Sequence, residues 1–156
     1  MNPSYFASFR ETLNEVAREQ IYIDMTEAAP LESVVEFQSR LIAANAPTYV
    51  ALVEGRVVGW CDVSGNQNPR HAHRASLGMG IIAPWRGHGI GSRLVEACID
   101  HAKKIGLEKI ELKVYTSNLR AISLYKRHGF VEEGMIRKYR KLNGEYFDCY
   151  CMGLFL

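Results

Sequence analysis

The sequence has few cysteines, and no two of them have the spacing of a metal-binding or redox pair. The four are Cys61, Cys98, Cys149 and Cys151. Without a CxxC pair we expect reduced thiols, as in a cytosolic protein. Cys149 and Cys151, like His71 and His73, would share one face of a strand, but zinc sites usually separate their cysteines by two to four residues. We therefore expect no metal site, and small buried thiols instead.

Long apolar runs are also missing from the chain. None approaches the roughly 18 residues that a membrane-spanning helix needs. Residues 1–6 lack the basic start and the apolar core of a signal peptide. We therefore expect a cytoplasmic protein that has no membrane partner. A length of 156 residues suits one domain, residues 1–156, which can bury a core without cross-links.

The net charge is only +2, but the charges are unevenly distributed. Residues 1–60 carry four Lys or Arg against eight Asp or Glu, whereas residues 61–156 carry fifteen against nine. A basic half can meet a nucleic acid or a polyanionic cofactor. The sequence has neither an arginine-rich run nor a basic stripe with interleaved aromatic residues. We therefore expect no nucleic-acid partner, and favour a small phosphorylated ligand.

The first third of the chain has the apolar spacing of two helices. Apolar residues recur at three- and four-residue steps over residues 3–18 and 31–44, which predicts two amphipathic helices. Residues 49–53 and 56–63 then predict a hairpin with a two-residue turn. Residues 21–25 are too short to decide whether another strand lies between the helices.

The remaining sequence predicts a single crossover unit followed by a hairpin. In order, it predicts a strand over residues 72–82, a helix over 92–105, a strand over 107–115, a short helix over 119–128, and strands over 130–140 and 145–156. The first three elements form one βαβ unit, whose crossover is expected to be right-handed. Asn143-Gly144 is a strong hairpin turn. The predicted fold class is α+β with three layers, in which a mixed sheet has antiparallel N-terminal strands, one βαβ crossover and a C-terminal hairpin.

A glycine-rich loop joins the strand and the helix of the crossover unit. It consists of Arg86, Gly87, His88, Gly89, Ile90 and Gly91. Glycines let backbone N–H groups converge on an anion, and the following helix, beginning near Ser92, adds unpaired N–H groups and the positive end of its dipole. This combination suits a diphosphate. The alternative is a tight turn without a ligand.

The spacing of the loop excludes two other phosphate-binding folds. A dinucleotide-binding fold needs G-x-G-x-x-G within repeated βαβ units, whereas this loop reads G-x-G-x-G in a single unit. A P-loop needs Gly-Lys followed by Ser or Thr, but Gly91 is followed by Ser92 and Arg93.

Two motifs resemble the GNAT superfamily of acyl-CoA N-acyltransferases. Its phosphate motif, Gln/Arg-x-x-Gly-x-Gly/Ala, is matched from Arg86 to Gly91. Its downstream Asn-x-x-Ala-x-x-Leu-Tyr motif, which Gly-Phe follows, is matched from Asn118 to Tyr125 and at Gly129-Phe130. Residues 139–148 resemble the branch that acetylates amino acids and related small amines. The resemblance covers about residues 49–156.

The resemblance implies where acetyl-CoA binds. The two parallel strands would splay apart and hold the pantetheine arm between them, with backbone groups of Gly80, Ile81 and Ile82 bonding to it. A backbone N–H near Ile81 or Ile82 would polarise the thioester carbonyl. The loop from Arg86 to Gly91, together with Ser92, would hold the diphosphate. Asn118 would cap the next helix and contact the cofactor.

The same resemblance makes Tyr125 the candidate general acid. A phenol stays protonated at neutral pH and can donate to a departing thiolate. The general base stays open. The two places where some relatives carry a glutamate hold Ser76 and Lys113 here. The alternatives are Asp62, His73, Glu111 or a chain of water molecules.

The predicted function is transfer of an acetyl group from acetyl-CoA directly to a primary amine of a small metabolite, such as an amino acid. No metal takes part in this reaction. Two alternatives remain open: a protein N-terminal or lysine acetyltransferase, and a non-catalytic acyl-CoA-binding domain. The expected partner is a small-molecule amine, and a homodimer is an open alternative to a monomer.

Overall fold

The computed structural model describes residues 1–66 and 68–156, which form helices around one mixed sheet. The elements are α1 (Phe6–Arg18), α2 (Leu31–Ala43), β1 (Thr48–Val53), β2 (Arg56–Gly65), β3 (Arg74–Ile81), α3 (Ile90–Lys104), β4 (Lys109–Tyr115), α4 (Leu119–Arg127), β5 (Val131–Leu142) and β6 (Glu145–Phe155). The six strands are ordered β1-β2-β3-β4-β6-β5. The predicted fold class is confirmed.

The observed starts of β3 and α3 differ from the predicted ones by two residues, and the structure shows that residues 21–25 do not form a strand. The strand expected from residue 72 begins at Arg74, because a 3₁₀ turn occupies Pro69–His71. The helix expected from residue 92 begins at Ile90, because Gly89 adopts a left-handed conformation immediately before it. Residues 21–25 lie in bends rather than in a strand.

The only parallel pair in the described sheet, β3 and β4, is joined over a short stretch. Residues 74–76 of β3 face residues 109–111 of β4, and beyond this point the two strands are not paired. On its other side β4 continues to pair with β6 as far as Tyr115. The strands therefore splay towards their C-terminal ends, as predicted. We call the resulting opening the β3–β4 gap.

Two-residue turns set the register of both hairpins. Glu54 and Gly55 have φ angles of +49° and +80°, and Asn143 and Gly144 have +50° and +86°. Positive φ at both central residues is the type I′ turn, whose twist matches that of paired strands. The predicted hairpins are confirmed, and the first tolerates a glutamate at a position that more often holds Asn or Asp.

Helices cover the sheet on both faces and form two apolar clusters. On one face α1 and α2 bury residues against β2, with Phe9 and Trp60 in edge-to-face contact at 5.6 Å between ring centroids. On the other face α3 and α4 pack on the sheet through residues that include Val95 and Ile122. Because β2 is covered on both faces, most of its residues are buried. The β3–β4 gap thus opens between two helical layers.

Candidate active site

A cleft is formed by the β3–β4 gap and its mouths. Its volume is about 540 Å³, and its walls come from β3, β4, α4 and the segment between α1 and α2. Predicted site residues that line it include Gly80, Ile81, Arg86, Asn118 and Tyr125. A pocket of this size, apolar with a few convergent polar groups, is typical of a small-molecule site.

The glycine loop presents the open N-terminus of α3. Gly87 and Gly89 have φ angles of +84° and +77°, which L side chains rarely adopt. No side chain caps α3, so the N–H groups of its first turn remain for a ligand. Gly91 differs, because a Cβ there would lie 3.2 Å from Leu124 Cδ2. Its small size serves the packing of α3 on α4.

The side chains of the loop are engaged by the protein itself. The Arg86 guanidinium donates to Glu19 through both terminal nitrogens and to the Ile81 carbonyl through Nε at 2.7 Å. Glu19 raises the pKa of Arg86, so this cation is permanent. Ser92 Oγ lies 2.7 Å from His128 Nε2. Backbone groups and the helix dipole, rather than these side chains, are what the loop offers to an anion.

The hydrogen bonding of β3 decides which backbone groups face the gap. The Ile82 N–H donates to the Val58 carbonyl of β2 at 3.1 Å. Bonded and non-bonded pairs alternate in antiparallel strands, and the β2–β3 register runs without a shift. The groups of Gly80 and Ile82 are therefore used by β2, and those of Met79 and Ile81 turn towards the gap. Of the contacts expected at Gly80, Ile81 and Ile82, the Ile82 N–H is already used by β2, and the contacts of these residues with a cofactor stay a prediction.

The glycines of β3 make room for β2 side chains. A Cβ on Gly80 would lie 2.3 Å from the Trp60 ring, and one on Gly78 would lie 3.4 Å from Asp62 Oδ1. These two side chains cover β3 on the face that carries α1 and α2. The space left by the missing Cβ of Gly80 is therefore filled by the Trp60 indole.

Tyr125 and Asn118 reach the gap from α4. Tyr125 is buried, and burial is the main cause that raises its pKa above the usual value of a phenol, followed by the nearby Cys61. It is therefore protonated at neutral pH, as a general acid requires. Asn118 Oδ1 accepts the Ala121 N–H at 3.2 Å and caps α4, and the residue also lines the cleft.

The three side chains considered as bases are far apart. Glu111 binds Arg74 with both carboxylate oxygens at 2.6 and 2.8 Å, where β3 and β4 are still paired. His73 is exposed in the turn before that paired end, and its carbonyl accepts from Glu108 and Lys109. Asp62 alone of the three is buried beside the gap.

Asp24, which no sequence motif indicated, is a carboxylate that lines the cleft. Tyr115 and Tyr139 both donate to it, the latter at 2.8 Å. The bond to Asp24, together with burial, raises the pKa of Tyr139 to about 12. Arg140 donates to the carbonyls of Gln20 and Ile23 at 3.1 and 3.2 Å. No sequence pattern links these residues, because about 90 to 120 positions separate them.

The C-terminal hairpin contributes other residues than expected. The resemblance of residues 139–148 to relatives that acetylate small amines implies that this segment, which includes Tyr146 and Asp148, lies near the acceptor pocket. They lie on β6, which pairs with β5 as predicted, but Tyr146 is half-exposed outside the cleft, and Asp148 accepts the N–H of Lys138 at 2.7 Å. Lys138 has a φ of +51° and sits in a bulge of β5. Tyr139, next to it, lines the cleft instead.

Residues 1–66 and 68–156 contain neither a metal-binding cluster nor a membrane-spanning helix. No group of three or more histidine, cysteine or acidic side chains could hold a metal ion there. No helix in this part of the chain is both long enough and apolar enough to pass through a bilayer.

Splayed parallel strands, an uncapped helix N-terminus and a buried phenol are the features that the resemblance to acyl-CoA N-acyltransferases implies. The sequence model described as "Acetyltransferase (GNAT) family" matches residues 9–130. The L-amino acid N-acetyltransferase AaaT of Escherichia coli strain K12 is 35% identical over 140 residues, which are 87% of this chain and 85% of that protein. The chain therefore belongs to the GNAT acetyltransferase family, and it is an acetyl-CoA-dependent N-acetyltransferase.

Solved structures share the fold over the whole chain. A GNAT-family acetyltransferase from Streptococcus pneumoniae has a TM-score of 0.93 at 27% identity and covers 100% of this chain and 96% of its own. A GNAT superfamily phosphinothricin acetyltransferase from Sinorhizobium meliloti, in complex with acetyl-CoA, has a TM-score of 0.93 at 19% identity, with coverage of 100% and 85%. The second likeness concerns the fold alone.

Proposed function

We propose that the chain acetylates the primary amine of a small metabolite, such as an amino acid or an analogue, and that residues 1–156 act as one domain. The observation that carries the proposal is the β3–β4 gap, which opens at the N-terminus of α3 and is lined by Tyr125. The similarity to an L-amino acid N-acetyltransferase supports this acceptor class.

The donor binds along the gap in this proposal. The diphosphate of acetyl-CoA lies on the N–H groups of the loop from Gly87 to Gly91 and on the dipole of α3. The pantetheine arm lies between β3 and β4 and bonds to the backbone groups of Met79 and Ile81. The N–H of one of these two residues polarises the thioester carbonyl as negative charge develops on its oxygen.

The chemistry is a direct transfer between two bound substrates. A neutral amine attacks the thioester carbon, a carbon–nitrogen bond forms, and the carbon–sulfur bond breaks. Tyr125 donates its proton to the departing thiolate, whose parent thiol has a pKa of roughly 8.5. Burial keeps the phenol protonated at neutral pH, and the same raised pKa makes it a weaker acid than a free phenol, so the donation accompanies the growth of negative charge on sulfur.

A protein N-terminus or a lysine side chain is the second candidate acceptor. Residues 21–24 line the cleft, and Asp24 and Arg140 fasten this segment to the sheet. A panel of free amino acids, small amines and peptides, with free thiol measured after mixing with acetyl-CoA, tests the proposal. Turnover with free amino acids supports it, and turnover with peptides alone contradicts it.

The same assay tests the alternative of a non-catalytic acyl-CoA-binding domain. Such a domain would bind CoA in calorimetry yet release no thiol with any amine. The presence of Tyr125 at the gap argues for turnover, because a binding domain has no use for a buried donor beside the thioester.

A further inference from the structure

A second cavity lies next to the cleft, beneath α1 and α2. Its volume is about 380 Å³, and its walls are mostly apolar, with Phe9, Leu13, Val34, Phe37 and Trp60 among them. Asp62 is the one acidic or basic side chain among the described residues that line it. We call it the Asp62 cavity. An apolar pocket with one charged group suits a ligand that is mostly apolar and carries one cation.

The carboxyl group of Asp62 has no cationic partner among the residues that the structure describes. It is 8% exposed, and burial raises its pKa to about 7, which a polar contact with Gln38 only partly offsets. The buried Gln38 accepts the Thr48 hydroxyl at 3.1 Å, but its amide nitrogen reaches no partner at hydrogen-bond distance among the described residues. A buried carboxylate without a counter-ion is costly, which marks a functional group.

The groups that face Asp62 from each packed element are uncharged. They are Phe9 and Leu13 of α1, Ser33, Val34 and Gln38 of α2, Thr48 of β1, and Gly78 and Met79 of β3. No neighbouring charge therefore competes with a ligand for this carboxyl group or moves its titration with pH.

The cavity adjoins the place where the thioester would lie. Ile23, Gly78 and Met79 line both the Asp62 cavity and the cleft. Asp62 pairs with Gly78 across the strands, and the missing Cβ of that glycine leaves the carboxyl group uncovered towards β3. Met79, the next residue, is one of the two whose backbone groups turn towards the gap.

The other carboxylate near the cleft is already occupied. Asp24 accepts hydrogen bonds from Tyr115 and Tyr139, so its oxygens hold the segment between α1 and α2 in place. Glu111 and His73 lie at the paired end of β3 and β4, away from the gap. Among the described residues, Asp62 lines the cavity that adjoins the gap, and Gln38 is the one polar side chain in contact with its carboxyl group.

We infer that the Asp62 cavity is the acceptor subsite: Asp62 binds the ammonium group and removes a proton from it, and the apolar walls hold the rest of the amine. This inference rests on the proposed function and makes it more specific. The acceptor class is a primary amine with an apolar skeleton, such as an amino acid with an aliphatic, thioether or aromatic side chain.

The proton balance of the reaction follows from this arrangement. Asp62 accepts one proton from the ammonium group, and the neutral amine attacks the thioester carbon. When the carbon–sulfur bond breaks, sulfur takes the proton of Tyr125, and the second proton lost by nitrogen restores the phenol through water. Asp62 then releases its proton to solvent, so one proton leaves the site in each turnover.

Two measurements test the subsite. The first compares leucine with asparagine, because their side chains have nearly the same shape but only one is apolar. Burying an amide without a partner costs about 1–3 kcal/mol, so kcat/KM for leucine should exceed that for asparagine by about 10–100-fold. Ser33→Phe, at an exposed position on the cavity wall, should raise KM for large apolar amines more than for small ones.

The second measurement is the pH profile of Asp62→Asn. Loss of a general base lowers single-turnover rates by about 10²–10⁴-fold. In the wild type the single-turnover rate should fall as the pH drops below 7, because Asp62 takes up a proton. The rate of Asp62→Asn should not show this fall at low pH. Asp100 is an exposed residue of α3, so Asp100→Asn serves as the control and should show the same fall in rate below pH 7 as the wild type. Acetyl-CoA binding should be the same in all three proteins.

The outcomes separate the inference from the function on which it rests. Absence of thiol release with every amine would contradict the proposed function. Turnover with equal kcat/KM for leucine and asparagine would contradict the subsite alone. Wild-type single-turnover rates and an unchanged pH profile in Asp62→Asn would show that water or another group takes the proton.

Discussion

Two aspartates beside the cleft show how surroundings decide what a carboxyl group can do. Asp24 accepts from two phenols, and it contributes to raising the pKa of each. Asp62 is enclosed by apolar side chains, and desolvation brings its pKa to about 7. The first is suited to fastening a segment, and the second is poised to exchange a proton near neutral pH.

Asp62 should also make the stability of the protein depend on pH. Its pKa rises from 3.8 to about 7 on folding, so the folded state binds the proton more tightly. The contribution of the Asp62 carboxyl group to the free energy of unfolding is therefore fully present below pH 4, and it is lost as the pH rises through 7. The pKa difference corresponds to about 4 kcal/mol at 1.36 kcal/mol for each pH unit.

We therefore expect Asp62→Asn to be more stable than the wild type at pH 8 and to lose this advantage at pH 4. Urea unfolding at both pH values measures the effect. Asp100→Asn should change the free energy of unfolding little at either pH. Equal stability of Asp62→Asn and the wild type at pH 8 would mean that the carboxyl group is solvated or paired.

Tyr125→Phe should separate catalysis from folding. The ring keeps its contact with Phe130 at 5.6 Å between centroids, so stability and CoA affinity should hardly change. The variant loses one donor that acts as sulfur gains charge, and kcat and kcat/KM should both fall by about 10²–10⁴-fold. Single-turnover measurement avoids masking by slow product release. A wild-type rate would leave Tyr125 with a packing role only.

At the scale of elements, the N-terminus of α3 combines two kinds of glycine. Gly89 needs its φ of +77°, and a Cβ there would meet open space. Gly91 has an ordinary φ, but a Cβ would press on Leu124 and on Ile81 of β3. The motif therefore encodes a backbone conformation at one glycine and close packing of α3 at the other.

Gly89→Ala and Gly106→Ala form a matched pair. Both glycines have a φ of +77° with open space around the Cβ position, and they precede and follow α3. The left-handed conformation costs either variant about 1–2 kcal/mol of stability. Only Gly89→Ala should weaken CoA binding, because only that loop faces the diphosphate in our proposal. Calorimetry with CoA measures this, and equal affinities would place the diphosphate elsewhere.

The segment of residues 20–25 is fastened to the sheet by Asp24 and Arg140. Asp24→Asn keeps the shape of the side chain but removes the charge that strengthens the bonds from Tyr115 and Tyr139. Hydrogen exchange in residues 20–25 should therefore speed up, while exchange in α3 stays the same. Unchanged exchange in the segment would mean that Arg140 alone holds it.

At the scale of the whole molecule, the sheet is divided at the β3–β4 gap, whereas β4 is paired with β6 along its full length. Three residue pairs join β3 to β4, whereas seven join β4 to β6. A ligand in the gap bonds to the inner edges of both strands and so links the two halves of the sheet. Binding to the folded state alone raises its stability according to ligand concentration.

CoA should therefore raise the melting temperature of the protein in proportion to the logarithm of its concentration. At a hundred times the dissociation constant the gain is about 2.7 kcal/mol. Gly89→Ala should show a smaller shift at the same CoA concentration, and Gly106→Ala should show the full shift from its own lower starting point. A shift that is absent in the wild type would contradict binding in the gap.

The sequence by itself determined the order of the elements, the two hairpins and the position of the glycine-rich loop before α3. These features depend on contacts between near neighbours: apolar spacing in the helices, positive φ at Asn143 and Gly144, and glycines before α3. The motif residues Asn118 and Tyr125 also lie within ten positions of each other on one helix, so their placement followed from local pattern.

The tertiary structure decided which residues meet at the gap. Asp24, Tyr115 and Tyr139 lie on three separate elements, and only the packing of the α1–α2 segment on the sheet joins them. The backbone groups available at Met79 and Ile81 depend on the pairing of β3 with β2, which the sequence of β3 alone does not encode. In the sequence, Asp62 looks like an ordinary polar residue of a strand. Its pKa is raised in the folded protein because α1 and α2 exclude water from it.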